Sequence, residues 1–251
     1  MKPIYQRNFS VPAAATDCFG RMKASQILML LQEVAGDHSA LLGTAREELI
    51  QKGMFWAVIR HRVQITRLPH TGEVLTAQTW PMPTTRTAYP RSTVVYDADG
   101  KECFRSISLW VLMDEKTRAM ILPGKSGITV DGALMGSELT VPGSLALHPL
   151  ENRVQRTVRF TDLDINGHMN NCRYLDWVCD TLPGHFHRDH PISEFTVCYL
   201  SEAREAEDLS LCWALQPDGC LAVDALRSEE GLSAGHARVF SARVLFDGGV
   251  L

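Results

Sequence analysis

One short segment occurs twice in this chain, and that repeat limits what the chain can fold into. Asp17-Cys18-Phe19-Gly20-Arg21-Met22 matches Asp164-Ile165-Asn166-Gly167-His168-Met169, with Asp, Gly and Met shared at one spacing of 147 residues. The same spacing carries Ile27, Leu28, Leu30 and Leu31 onto Tyr174, Leu175, Trp177 and Val178. Three identities in six positions are weak alone. An apolar face that keeps the same step makes duplication the better reading.

Element order repeats as well. Ile27, Leu28, Leu31, Val34, Ala35, Leu41 and Leu42 share one helical face, which predicts a helix over 23–42. Thr44-Ala45-Arg46-Glu47 has capping-box spacing and predicts a second short helix running to Gly53. Runs rich in β-branched and aromatic residues predict strands over 55–66, 74–80, 93–96 and 103–113. Asp97-Ala98-Asp99-Gly100 marks a hairpin between the last two. A stretch with five glycines and three prolines, 123–150, reads as a linker across a surface. The order then recurs: a strand over 154–160, a helix over 170–180, and strands over 195–200, 209–215, 220–226 and 236–246. Turns fall at Pro217-Asp218-Gly219 and Glu229-Glu230-Gly231. Each half is thus a helix on a curved antiparallel sheet, an α+β arrangement.

Composition narrows the function classes. The 251 residues hold 25 basic and 29 acidic side chains, a net charge of −4, which disfavours general electrostatic binding to nucleic acid or anionic membrane. No apolar run approaches the roughly 18 residues of a membrane span. Residues 1–17 show no apolar core of a secretory signal. Seven cysteines without a Cys-x-x-Cys pair fit reduced thiols in a cytosol better than a disulfide framework.

The two copies differ where chemistry would sit. The first has Phe19 and Arg21; the second has Asn166 and His168. The second segment lies at a strand-to-helix junction, where free N–H groups and the helix dipole suit a developing oxyanion. An amide can donate to a carbonyl, and an imidazole can shuttle a proton. Two other readings stay open on spacing alone. Asp162-x-Asp164-x-Asn166-Gly167 matches half of a calcium loop, but position 12 is Arg173 rather than Glu. Asp164 or Asn166 could instead be a simple helix cap, which leaves the difference between the copies unexplained.

The run from Asp162 to Trp177, DLDINGHMNNCRYLDW, resembles the signature of plant and bacterial acyl-acyl-carrier-protein thioesterases, approximately D-L-D-x-N-x-H-x-N-N-x-x-Y-x-x-W. Gly53-Met54-Phe55-Trp56-Ala57-Val58, Gly72-Glu73 with Thr79-Trp80, and Ser108 to Asp114 with Thr117-Arg118 resemble further landmarks in the same order. The resemblance implies an α+β double hotdog. Residues 1–123 would form an N-terminal hotdog that holds the acyl chain in an apolar tunnel around a degenerate site, 124–150 a linker, and 151–251 a catalytic hotdog. It implies hydrolysis of fatty acyl-acyl-carrier-protein to free fatty acid, with no cofactor and no metal. The partner would be an acyl carrier protein bearing acyl-phosphopantetheine. The setting would be a cytoplasm or a plastid-like compartment, and the chain a monomeric pseudo-dimer or a homodimer.

Residue by residue, Asp164, Asn166 and His168 fall on the family's catalytic Asp, Asn and His. Glu202 matches an acid on the strand after the helix, and Ala203 stands where the family has a cysteine. That departure argues against a Cys-His mechanism and leaves a carboxylate-and-water mechanism intact. In this scheme Glu202, aided by His168, activates water. Asn166 and N–H groups near Gly167 hold the carbonyl oxygen, with Gly167 and Asn170 as substrate-binding positions. Asp164 orients its neighbours, and Asp162 supports the loop. Outside the family frame Glu202 reads as one solvated charge among Glu205, Glu207 and Asp208.

Other clusters carry less. Cys172 and Cys198 lack a protease signature, His185-Phe186-His187 with His190 lacks the partners of a known metal site, and Gly124-Lys125-Ser126 lacks the upstream glycine of a phosphate loop. Arg60, Arg62 and Arg67, or Arg153, Arg156 and Arg159, could meet an acidic carrier protein or simply be solvated. Two functional alternatives remain beside the first: an acyl-coenzyme A thioesterase, and a non-catalytic acyl-thioester binder.

Overall fold

The computed structural model describes residues 4–146, 148–227 and 238–248. The chain divides into two compact units, Met1–Pro142 and Gly143–Leu251. In the first, β1 (Tyr5–Ser10) precedes α1 (Ala24–Leu41) and α2 (Arg46–Gln51). Strands β2 (Met54–Ile65), β3 (Val74–Pro81), β4 (Tyr89–Tyr96), β5 (Glu102–Asp114) and β6 (Met120–Ile121) follow, then one turn of helix, α3 (Pro123–Ser126). The sheet order is β1-β3-β4-β5-β2, all antiparallel, with β6 on β5.

The second unit runs β7 (Asn152–Thr157), α4 (Arg173–Cys179), α5 (Gly184–Asp189), β8 (Ile192–Tyr199), β9 (Asp208–Leu215), β10 (Leu221–Arg227) and β11 (Arg238–Phe246). Its sheet order, β7-β9-β10-β11-β8, repeats the first with each strand in its matching place. Strands 55–66, 74–80, 103–113, 209–215 and 220–226 thus form within two residues of their expected ends, while the strand expected over 195–200 starts three residues earlier at Ile192, that over 93–96 starts four earlier at Tyr89, and that over 154–160 ends three earlier at Thr157. The Glu229-Glu230-Gly231 turn and the start of the strand expected from His236 lie outside the described residues.

Duplication reaches single hydrogen bonds. Val11 N–H donates to Glu73 O at 2.9 Å, and Val158 N–H to Glu207 O at 2.9 Å. Met22 N–H donates to Pro69 O at 2.7 Å, and Met169 N–H to Ala203 O at 2.8 Å. The first residues of each pair are 147 apart, as the sequence repeat requires; their acceptors fix the matches Glu73/Glu207 and Pro69/Ala203.

Differences from the sequence reading have local causes. The strands at 5–10 and the helix at 184–189 carry no strong pattern and were not anticipated. The second short helix starts one residue late: Ala45 N–H donates to Glu48 Oε2 at 2.9 Å, so Glu48 rather than Glu47 closes the cap. Helix α4 begins at Arg173 instead of 170, because Asn170 Oδ1 accepts the Cys172 N–H at 2.9 Å and spends the first turn as a cap. It ends at Cys179, one residue short of the expected end. Part of the presumed linker is committed to the first unit. Ile128 is buried with Leu49, Met54, Tyr89 and Leu112, Glu138 accepts from Trp80 Nε1 at 3.2 Å, and Ser137 O accepts from Arg105 at 2.7 Å.

Helix α1 packs on β1 and β3, burying Ile27, Leu28, Leu31 and Val34. Helix α4 packs through Tyr174, whose ring lies 4.6 Å from Phe240 on β11 and 6.0 Å from Tyr199 on β8. The apolar interior expected of the first unit is interrupted. Arg91 is buried beneath α1, donating to His38 Nδ1 at 3.1 Å and Thr79 Oγ1 at 3.3 Å. No helix among the described residues is long and apolar enough to cross a membrane.

Candidate active site

The loop between β7 and α4 is a tight turn closed on itself. Leu163 and Met169 form an isolated bridge, Asp164 N–H donates to His168 O at 2.8 Å, and Gly167 N–H donates to Asp164 O at 3.0 Å. Gly167 sits at φ +73°, the left-handed region where a Cβ is strained, so glycine is needed there. Gly20 at φ +76° does the same in the first unit.

Asp164 serves Asn166. Its Oδ1 accepts the Asn166 N–H at 2.7 Å and its Oδ2 accepts the Asn166 amide at 3.3 Å. Asn166 and Gly167 are exposed at the loop tip. Asp162 accepts the Arg159 N–H at 2.9 Å and its carbonyl accepts the Asn170 N–H at 2.8 Å, so it braces the loop. The oxygen of Asn170 is taken by its cap to Cys172.

The segment after β8 brings the acid. Met169 N–H on Ala203 O and a bridge between His168 and Arg204 clip the two segments together. His168 Nε2 then lies 3.2 Å from Glu202 Oε2, with the imidazole 15% and the carboxylate 41% exposed. The carboxylate is the more open member of the pair and the imidazole the more sheltered. In the first unit, the match of Pro69 with Ala203 puts Leu68 where the second unit has Glu202. Arg21 turns back on its own loop, pairing with Asp17 at 3.1 Å and lying over Phe19 at 4.7 Å. Asp164, Asn166, His168 and Glu202, chosen from sequence, therefore come together in one unit, and their counterparts in the other form no such pair.

The backbone N–H of residue 21 donates to Asp17 Oδ1 at 3.0 Å. The corresponding His168 N–H makes no hydrogen bond among the described residues, while the Asp164 carboxylate holds Asn166 through both its N–H and its amide. An N–H and an amide thus stand beside the His-Glu pair, a donor set suited to a carbonyl oxygen gaining charge.

Two supporting residues escaped sequence reading. Arg227 at the end of β10 donates to Ser201 Oγ at 2.7 Å, to Glu202 O, and to Glu207 Oε2 at 3.1 Å, fixing the segment that carries Glu202. Its signal lies in strand register, which pairs it with Leu209, and not in any local motif. Asn171 keeps a buried Nδ2 without a partner among the described residues, while its carbonyl accepts the Tyr199 hydroxyl at 3.0 Å. Tyr174, close beneath, has its hydroxyl pushed well above the usual tyrosine range by burial. Cys172 and Cys198 are buried cysteines outside any disulfide. His187 Nε2 lies 2.8 Å from Cys179 O, and His190 packs on Phe186. Among the described residues, no group of three or more His, Cys, Asp or Glu is placed to hold a metal.

The family models for the acyl-ACP thioesterase N-terminal domain and C-terminal domain match residues 2–122 and 149–242. A palmitoyl-acyl carrier protein thioesterase of Gossypium hirsutum is 26% identical over 214 residues, 79% of this chain and 52% of that protein. A dodecanoyl-[acyl-carrier-protein] hydrolase of Cinnamomum camphora is 26% identical over 215 residues, 79% of this chain and 56% of that protein. The chain spans about half the length of the curated relatives it matches. An acyl-ACP thioesterase crystal structure from Bacteroides thetaiotaomicron superposes with a TM-score of 0.85 at 22% identity, covering 98% of each chain. The 12:0-ACP thioesterase of Umbellularia californica gives 0.80 at 22% identity, also over 98% of each chain. Those two likenesses show the fold, a double hotdog. The two family models, taken together, cover most of the sequence, and this chain belongs to the acyl-ACP thioesterase family.

Proposed function

We propose that the chain hydrolyses fatty acyl-acyl-carrier-protein to free fatty acid and carrier-protein thiol, and that the second unit carries the reaction. The observation that supports this most is the 3.2 Å approach of His168 to Glu202, made in one copy of a duplicated frame and replaced by Arg21 and Leu68 in the other.

A thioester carbonyl is already electrophilic and its thiolate leaves readily. The site needs an activated water, an oxyanion contact and orientation. In this scheme a water on Glu202 loses its proton to the carboxylate, and His168 positions Glu202 and passes that proton to the leaving sulfur. The Asn166 amide and the His168 N–H receive the carbonyl oxygen. Asp164 aims Asn166. Asn170 shapes the start of α4, and Gly167 provides the turn that exposes both donors. With Ala203 next to Glu202, no thiol nucleophile is required.

The test offers palmitoyl- and dodecanoyl-carrier protein, and the same acyl groups on coenzyme A, to the wild type and to Glu202→Gln. Released acid is quantified by mass. Turnover lost about 10²–10⁴-fold in the variant supports the assignment. Acyl-coenzyme A turned over in preference to carrier protein would move the substrate. Binding of acyl thioester without any release would overturn the hydrolase reading.

A further inference from the structure

We propose that the rim of the second-unit site is a docking surface for the acyl carrier protein: Arg159 and Arg204 receive its anionic groups, and Phe160 and Ile165 an apolar patch on its face. This rests on the reading of the chain as a carrier-protein thioesterase and adds which residues would hold that partner.

The argument comes from the duplicated frame. Phe160 is 76% and Ile165 82% exposed, on the short turn and loop that carry Asp164 and Asn166. Leaving side chains of this size in water forgoes the free energy that burying them would give. The backbone does not demand them, because the positions 147 residues earlier are Ala13 and Cys18 in the same turn and loop. Two large exposed apolar side chains, both on the segment that carries the site and both absent from the matching segment, are the kind of surface a partner covers.

Charge follows the same pattern. Arg159 stands where the first unit has Pro12, and Arg204 where the bridge to residue 21 has His70. Neither guanidinium has an ion-pair partner among the described residues. Arg156, Arg173, Arg227 and Arg243, on the same unit, each pair with an acid at 2.8–3.1 Å. Arg159 and Arg204 both stand on the segments that carry His168 and Glu202, and both stay outside any ion pair among the described residues although Asp162, Glu202, Glu205 and Glu207 lie close in sequence. The thioester of a carrier protein sits at the end of a phosphopantetheine arm, so an anionic phosphodiester and the protein behind it must approach this mouth. Guanidinium is well suited to phosphate and carboxylate. Coenzyme A also carries phosphates but has no protein face for Phe160 and Ile165 to cover, so the apolar half of the rim favours a protein.

The experiment measures two things on the wild type, on Arg159→Glu/Arg204→Glu and on Phe160→Ser/Ile165→Ser. One is binding of holo-acyl carrier protein by titration calorimetry. The other is kcat and KM on acyl-carrier protein, acyl-coenzyme A and acyl-pantetheine, which has neither phosphate nor protein. The charge variant should weaken carrier binding and raise KM for acyl-carrier protein at least 10-fold, with kcat and acyl-pantetheine hydrolysis within 2-fold. The apolar variant should raise KM for acyl-carrier protein and leave acyl-coenzyme A unchanged. Carrier affinity unchanged in both variants, or a parallel loss on acyl-pantetheine, overturns the docking surface. A wild type that binds carrier protein through these residues yet releases no acid keeps the surface and sinks the hydrolase reading instead.

Discussion

The two units share a backbone and differ in what it carries. Both wind a strand, a short turn, a glycine-closed loop and a helix onto four further matching antiparallel strands, with the same hydrogen bonds at 11/158 and 22/169. The first spends its loop on itself through Arg21–Asp17, and the second aims the equivalent side chain at an acid. Interiors differ in the opposite sense. On the sheet face that meets α1, the register places His61, Thr79, Arg91 and Ser108. The matching positions of the second unit are Phe195, Trp213, Leu221 and Val244. The unit whose loop carries the His-Glu pair has the apolar set of these four positions, and the unit whose loop closes on itself has the polar set. Even the brace behind each loop is exchanged. Arg67 holds Glu73 and Asp97 in the first unit, while in the second the matching residues are Ser201, Glu207 and Arg227, and the cation comes from the other strand. A duplicated frame fixes where groups stand and leaves open which group stands there.

The sharpest way to break this comparison is to remove the working pair and its counterpart in parallel. His168→Ala should lower acyl-thioester turnover about 10²–10⁴-fold. Arg21→Ala, at the matching position, should leave kcat within 2-fold. Comparable losses in both would mean that the first unit also takes part in chemistry.

A second test uses acid. Burial lowers His61 to about 3, and burial with the Arg91 charge lowers His38 to about 4. Against an unfolded value of about 6.5, the unfolded chain binds more protons between these limits. Their contribution is therefore complete above pH 6.5 and is lost as pH falls toward 4 and then 3. Hydrogen exchange read by mass should show the first unit loosening before the second as pH drops through this window. His61→Phe, which installs the residue of the matching position, should shift that loosening to lower pH. Acid loss starting in the second unit would remove the link to the buried imidazoles.

Glycine in the loops gives a smaller, paired effect. An alanine at φ +73° or +76° costs about 1–2 kcal/mol. Gly20→Ala and Gly167→Ala should therefore lower stability similarly in denaturant melts, and only Gly167→Ala should also reduce turnover. The smallest effect is expected at Ala206, held at φ +64° where the first unit has Gly72 at +82°. Ala206→Gly should relieve strain and raise stability by about 0.5–1 kcal/mol, with turnover unchanged. Destabilisation instead would show that the methyl group repays its backbone cost in packing.

Much of this was legible in the residues. The 147-residue repeat with its apolar step carried the paired helix-and-sheet architecture, because helix and strand periods are written directly in hydrophobic spacing. Asp164, Asn166 and His168 stand within five residues, so local spacing alone could flag them. What is local in sequence can be read from sequence. Glu202 needed a family resemblance, since by itself it is one acid in an acidic stretch. Its partner lies 34 positions away and meets it only through the clip of Met169 to Ala203. Arg227, the unfilled Asn171 amide and the buried Arg91 had no local signal at all. Strand register and burial decided their roles. These are properties of which distant segments pair, and pairing is settled by the packing of the whole unit.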